Sequence, residues 1–252
     1  MKIAKTIHEL RSELKKLQGS IGFVPTMGNL HAGHVSLIEK AKSENDHVII
    51  SIFINPTQFN NPDDYKRYPK TLEQDAKLAE LAGTSIIFAP EENEMYPDQY
   101  KLRINCLHEM MNIMEGKHRP GHFEGVLTIV LKLLILIQAD KAYFSEKDYQ
   151  QLYLVQELTK AYLLKTDIIP CPIIRLESGL PLSSRNNNLS KEGLNLAEEF
   201  AQIVRLPQSI PSITSLLETK NIKVDYIEDH YNRRFVAAFV ADVRLIDNFP
   251  IS

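Results

Sequence analysis

The sequence predicts an α/β fold: a mostly parallel sheet with helices on both faces, followed by a small C-terminal α+β domain. Three observations carry that expectation. Short runs rich in Ile, Val and Phe alternate with longer segments of helical period. Such alternation implies right-handed crossovers and hence parallel pairing. Past Arg175 the alternation stops, giving way to a polar loop, two helical segments and two short strands. The 252 residues, 44% hydrophobic and 24% charged, are enough for a large and a small domain and exclude wholesale disorder.

In chain order, residues 1–18 set Ile7, Leu10, Leu14 and Leu17 at helical spacing between charges. This reads as an amphipathic surface helix without the apolar core of a signal peptide, so a cytoplasmic protein is expected. Strands are expected over 20–24, 47–54, 84–89, 141–144 and 167–175, with helices over 35–44, 72–81, 125–138 and 149–163. The stretch 126–137 is apolar but too short to span a bilayer and carries Lys132, so it reads as a core helix and no membrane partner is expected. A polar loop over 177–188 leads to helices near 190–204 and 211–220 and strands over 223–227 and 235–240. The domains are therefore set at 1–175 and 176–252. With 29 basic against 32 acidic residues, the charge of −3 offers no electrostatic reason for nucleic acid as the main partner. Cys106 and Cys171 form no CxxC or zinc pattern and read as two buried thiols.

In a parallel sheet, ligands bind beyond the carboxyl ends of the strands. There the sequence is unusual. The first strand runs into Pro25-Thr26-Met27-Gly28-Asn29-Leu30-His31-Ala32-Gly33-His34, and a helical pattern begins at once. Gly28 allows a tight turn, and Gly33 lets backbone approach a ligand. The helix N-terminus suits a phosphate. His31 and His34, three apart, fall on one face, where neutral or protonated imidazoles can donate to a phosphoryl group as its charge grows. The loop is neither GxGxxG nor GxxxxGK[ST], which disfavours a dinucleotide site and a Walker lysine. It is not HExxH either.

This HxGH resembles the signature of a nucleotidyltransferase superfamily, and the longer string PTMGNLHAGH resembles the pantothenate synthetase (pantoate–β-alanine ligase) family. Further strings resemble that family in order: SIFINPTQF at 51–59, YPKT at 68–71, HRPGHFEG at 118–125, SEKDYQQL at 145–152, PLSSRN at 181–186 and RLIDN at 244–248. The resemblance implies a Rossmann-like nucleotide- and pantoate-binding domain, a small C-terminal lid domain and a homodimer. It also implies a reaction belonging to coenzyme A biosynthesis. ATP activates pantoate as pantoyl-adenylate, and β-alanine then displaces AMP to give pantothenate.

By the same resemblance His31, His34 and Lys147 are the catalytic candidates. The ATP contacts expected are the loop from Met27 through Gly28, Asn29, Leu30, His31, Ala32 and Gly33 to His34, the segment Ser145, Glu146, Lys147 and Asp148, and Ile174, Leu182, Ser183, Ser184 and Arg185. Gln58 and Gln151, with Asn55 beside them, are expected to bind pantoate and β-alanine, since an amide both donates and accepts. Mg²⁺ is implied by ATP, with Asp75 the carboxylate named for it. Arg119 suits either an anion or a structural salt bridge, and His118 and His122 read as structural. Three departures from the family pattern stand out: Ser145 for a usual glycine, Pro181 in the loop before SSRN, and Ala241-Asp242-Val243 where glycine-rich residues are usual. Two other readings remain open at this stage, a nucleotidyltransferase that forms no amide and a non-enzymatic nucleotide binder.

Overall fold

The computed structural model describes residues 1–251. Six strands pair in parallel: β1 (Lys2–Ala4), β2 (Ile21–Thr26), β3 (His47–Ile52), β4 (Ile86–Phe88), β5 (Lys141–Ser145) and β6 (Asp167–Cys171), in the order β1-β4-β3-β2-β5-β6. Leaving β1 aside, the inner order is that of a Rossmann sheet, and its direction reverses between β2 and β5. The helices are α1 (Ile7–Leu14), α2 (Ala32–Glu44), α3 (Pro62–Arg67), α4 (Leu72–Leu81), α5 (Glu92–Met95), α6 (Met114–His118), α7 (His122–Ile137) and α8 (Tyr149–Ala161). Alternate strand residues serve opposite faces. Phe23, Ile49, Phe88 and Phe144 pack with α7 residues Phe123, Leu127 and Val130. Val24, Val48, Ile50, Ile87 and Tyr143 pack with Leu37, Ile38 and Ala41 of α2. Both faces must be apolar in a sheet covered by crossovers, which is why these strands read as continuous greasy runs.

Pro25 lies in β2, a central strand, where a missing N–H would ordinarily break the ladder. The register explains why it is tolerated. β2 keeps step with β3 through all six residues, from Ile21↔His47 to Thr26↔Ile52, but with β5 only at Gly22 and Phe23. Past Phe23 the two strands diverge, and the gap is the crevice of the switch point.

Several expected boundaries move. The segment 1–18 is not one helix. Lys2–Ala4 is an edge strand on β4, and α1 starts only at Ile7, where Thr6 and Glu9 form a capping box. That pattern marks a helix start more sharply than hydrophobic spacing does. β6 stops at Cys171 rather than 175, because its partner β5 ends at Ser145, the residue paired with Cys171. Cys171 is buried and its thiol is pushed up to about 11 by desolvation; Cys106 is only half-buried, and both are unpaired with each other.

By contact the chain divides into Met1–Cys171 and Pro172–Ser252. The second unit contains α9 (Lys191–Ile203), α10 (Ile210–Thr219) and an antiparallel sheet of β7 (Lys223–His230), β8 (Arg233–Val240) and β9 (Val243–Pro250). Phe200, Ala197 and Leu217 of the helices pack against Val236, Ala238, Val240 and Leu245 of the sheet. β9 is a strand that the pattern at 244–248 does not announce. Its hairpin turn is Ala241-Asp242, with φ of 46° and 65°, flanked by the pair Val240↔Val243. Two left-handed residues in a two-residue loop are the geometry that favours Asn and Gly, so glycine-rich residues, which the resemblance implies here, would have a backbone reason. Alanine in that conformation costs about 1 kcal/mol. Ala241→Asn should raise Tm by about 2–4 °C, read by calorimetry. An unchanged Tm would show that the turn is not strained.

Candidate active site

The carboxyl end of β2 is held by its own side chains. Thr26 donates its hydroxyl to the Ser51 carbonyl at 2.6 Å and accepts the Gly28 N–H at 3.2 Å. Gly28 (φ 83°) and Asn29 (φ 52°) then turn the chain left-handed. A Cβ on Gly28 would sit 3.0 Å from both Asp75 and Ile52, so glycine is needed for space as well as for φ. Asp75, only 1% exposed on α4, takes both amides of the turn: Asn29 N–H donates to Oδ2 at 3.0 Å and Leu30 N–H to Oδ1 at 2.7 Å. The Thr71 hydroxyl adds a third bond at 3.0 Å. The carboxylate named for Mg²⁺ is thus committed to the loop. The amides of Asn29 and Leu30 are likewise committed to Asp75 rather than to a ligand.

The turn delivers His31 as the N-cap of α2. Its Nδ1 accepts the Gly33 N–H at 3.1 Å, while His34 Nδ1 accepts the His31 N–H at 3.3 Å. Two imidazoles make the reciprocal arrangement that Ser and Glu make elsewhere. With the Gly33 amide capped and the His34 amide bonded to the His31 carbonyl at 2.8 Å, the helix end offers fewer free N–H groups than its sequence suggests. It offers something else. A neutral imidazole that accepts at Nδ1 carries its proton on Nε2, so both rings turn an Nε2–H donor away from the backbone. The ring centroids lie 4.2 Å apart. Burial, with Lys147 second, lowers His31 to about 4; burial, then His31 and Lys147, lowers His34 to about 3. Values lowered this far favour neutral rings at pH 7.

Lys147 reaches the same crevice from the far side of the switch point. β5 ends at Ser145, whose Oγ accepts the Lys147 N–H at 3.2 Å and caps a short 3₁₀ turn over Glu146–Asp148. The serine that replaces a glycine has φ −76°, so no left-handed geometry is required at this position. The Lys147 ammonium lies 3.5 Å from Asp148 Oδ1, and its side chain is 15% exposed.

The glutamines separate cleanly. Gln150 is buried and spent on structure, accepting the Glu115 N–H at 3.0 Å and donating to the carbonyls of Met110 and Ile113. Gln151, one residue on in α8, is half-buried. Gln58 donates to Met27 Sδ at 3.1 Å and accepts from Asn55 at 3.0 Å. Asn55 itself is saturated: its Nδ2 also donates to the Gly125 carbonyl, and its Oδ1 accepts from Thr57 and Tyr96. These bonds make it a fixing point of the 55–58 turn. A Cβ on Gly125 would come within 2.4 Å of the Thr57 carbonyl, so this glycine sets how closely α7 meets that turn. His122 Nδ1–H and Arg119 Nη2–H both donate to the Gln58 carbonyl, at 2.8 and 3.3 Å, and Arg119 also pairs with Glu115. Burial first, then Arg119, lowers His122 to about 3. Sequence reasoning missed Tyr96, Gly125 and Gln150. The HFEG and DYQQL strings contained the last two, without showing which way they face.

Ile174, Leu182, Ser183, Ser184 and Arg185 belong to the C-terminal unit. There Leu182 N–H bonds the Ile174 carbonyl at 3.0 Å, and Ser183 Oγ accepts the Arg185 N–H at 3.2 Å to open a 3₁₀ turn. Among the described residues, no group of three or more His, Cys, Asp or Glu could hold a metal ion, and no helix is long and apolar enough to cross a membrane.

A family model described as pantoate-beta-alanine ligase matches residues 2–250. A pantothenate synthetase of Coxiella burnetii is 50% identical over 250 residues, covering 99% of this chain and 93% of that protein. One from Francisella tularensis subsp. novicida is 49% identical, covering 97% and 94%. The solved structure of a Francisella tularensis pantoate-beta-alanine ligase, complexed with beta-gamma ATP and beta-alanine, superimposes with a TM-score of 0.97 at 48% identity, covering 99% of this chain and 97% of that one. A Thermus thermophilus counterpart gives 0.91 at 36% identity, with 99% of both chains covered.

Proposed function

The chain belongs to the pantoate–β-alanine ligase family, and from that membership we propose how its residues carry the reaction. The enzyme condenses pantoate with β-alanine at the expense of ATP, giving pantothenate, AMP and pyrophosphate. In the first step a pantoate carboxylate oxygen attacks the α-phosphorus, and the bond to the bridging oxygen breaks as pyrophosphate leaves. In the second, the uncharged amine of β-alanine attacks the acyl carbon, a C–N bond forms, AMP departs with the electron pair of the C–O bond, and the nitrogen loses one proton to solvent.

The observation that supports this assignment is the meeting of two neutral imidazoles and Lys147 where β2 and β5 diverge. The Nε2–H groups of His31 and His34 donate to α-phosphate oxygens, and Lys147 supplies the positive charge for the pentavalent transition state. Fixed donors aimed at developing charge are worth about 3–4 kcal/mol each. Gln151 and Gln58 hold the pantoate carboxylate and hydroxyls, with Asn55 keeping Gln58 in place. Asp148 accepts from nucleotide hydroxyls. Ser183, Ser184 and Arg185 bind phosphate oxygens, with a guanidinium suited to that geometry. Ile174 and Leu182 contact the adenine. The first unit then serves as the nucleotide- and pantoate-binding domain and the second as a lid. Mg²⁺ accompanies the nucleotide; the donors of Asp75 do not fit it, and no residue is assigned to the ion. A cytoplasmic homodimer is part of the same proposal.

The test is pyrophosphate release from ATP and Mg²⁺ with pantoate and β-alanine added in turn. Release should require pantoate, and AMP with pantothenate should accumulate only when β-alanine is present. AMP formation indifferent to both would overturn the reading.

A further inference from the structure

The RLIDN string at 244–248 has no part in the proposed chemistry, yet it contains the most enclosed charge of the C-terminal unit. The Asp247 side chain is 0% exposed on β9 and is gripped by two arginines: Arg175 at 3.0 Å to both oxygens and Arg205 at 2.5 Å to Oδ2. A carboxylate fully removed from water is costly to keep unless paired and bonded, and here the Asn248 N–H adds a further bond at 2.7 Å. Such an investment points to geometry that must be held.

What it holds is visible from Arg175. Besides Asp247, its guanidinium donates to the Gly179 carbonyl at 2.9 Å and to the Asn248 carbonyl at 2.9 Å. Gly179 is the left-handed corner (φ 88°) of a tight hairpin over 174–182. The hairpin is closed by Leu176 N–H to Leu180 O, Leu182 N–H to Ile174 O and a bridge between Arg175 and Pro181. Leu180, 2% exposed, plugs it into the core of the unit. The next residues are Ser183, Ser184 and Arg185, and Asn186 ties that turn back to the Pro181 carbonyl at 3.0 Å. One planar fork therefore joins the corner of the hairpin to β9, and the Ser-Ser-Arg turn continues directly from the hairpin stem.

We propose that Asp247, Arg175 and Arg205 form a positioning cluster that presets the Ser183–Arg185 turn for the nucleotide's phosphates. The proposal rests on the reading that this turn binds ATP. None of the three touches the nucleotide; they remove the need to order the turn when it binds. Pro181 adds stiffness to the same stem by fixing φ.

Arg175→Lys tests it, since lysine keeps the charge beside Asp247 but loses the fork that spans Asp247, Gly179 and Asn248. The expected result is a rise in KM for ATP of about ten-fold, with KM for pantoate unchanged. Calorimetric ATP affinity, measured below the variant's Tm, should weaken in step. Arg234→Lys is the control: it breaks a two-point pair with Asp229 elsewhere in the unit and should leave both KM values alone. Should Arg175→Lys fail to fold, Arg205→Lys, which loosens Asp247 while leaving the Arg175 fork in place, is read the same way. An ATP KM no higher than that of the control overturns the proposal. Arg185→Ala separates the two layers. If it leaves ATP affinity unchanged, the turn does not bind ATP and the underlying reading fails; if it weakens ATP while Arg175→Lys does not, only the positioning role fails.

Discussion

His34→Ala lowers kcat by about 10²–10³-fold, a loss of about 3–4 kcal/mol of transition-state stabilisation, and Lys147→Ala lowers it by a similar factor. Both measurements are made by pyrophosphate release at saturating substrate, with circular dichroism to verify the fold. The reasoning lies in the hydrogen bonds. Each imidazole uses Nδ1 on the backbone of α2 and keeps Nε2–H for something else. His31 does two jobs, and they can be separated. Asparagine is among the best N-caps, so His31→Asn should preserve the start of α2 while removing the Nε2–H donor. His31→Ala should lose about 1 kcal/mol of stability as well as the rate. Equal Tm for the two variants would show that the His31 cap contributes nothing.

The charge state gives an independent readout. With His31 near 4 and His34 near 3, neither ring changes protonation between about pH 5 and 8, so neither should contribute a bend to the kcat profile there. Stability behaves differently. His31, His34 and His122 are all lowered from 6.5 in the folded chain, so the unfolded state binds the additional protons. Their contribution is full above pH 6.5 and is lost as pH falls from 6.5 towards 4 and 3. A bend in kcat near 6.5 that disappears in His34→Ala would contradict the neutral assignment.

The parts of this site that sequence makes legible are those whose chemistry is local. HxGH is one helical turn, so the shared face of its imidazoles follows from spacing alone. The strand that feeds it is legible because both of its faces are greasy. The remainder depends on contacts that no spacing encodes. Gln150 and Gln151 are neighbours on one helix, and only the packing of residues 110–115 against α8 decides which amide is spent. No spacing shows that Tyr96, 41 residues away, and Gly125, 70 away, bond the Asn55 amide. β1 is too short to show a period, and β9 was hidden because its string reads as a motif before it reads as a strand. The capping box at Thr6 and Glu9 is the local signal that separates β1 from the start of α1.

Asp75 is the clearest case, and its substitution should be the most damaging outside the catalytic groups. Asp75→Ala leaves the Asn29 and Leu30 amides without acceptors in a buried corner, at about 1–3 kcal/mol for each. A stability loss of about 2–4 kcal/mol is expected by denaturant titration. The same two amides hold the left-handed turn that aims His31, so kcat should fall by about 10²-fold even where the variant is folded. Asp75→Asn keeps one acceptor oxygen and turns an NH₂ towards the other amide, so it should be nearly as severe in rate and intermediate in stability. A metal ligand would behave otherwise. Losing one weakens Mg²⁺ affinity, and excess Mg²⁺ would then restore the rate while Tm stayed near that of the parent. A loop anchor gives a lower Tm that no concentration of Mg²⁺ repairs, because the groups left unpaired are backbone donors and a cation cannot accept from them.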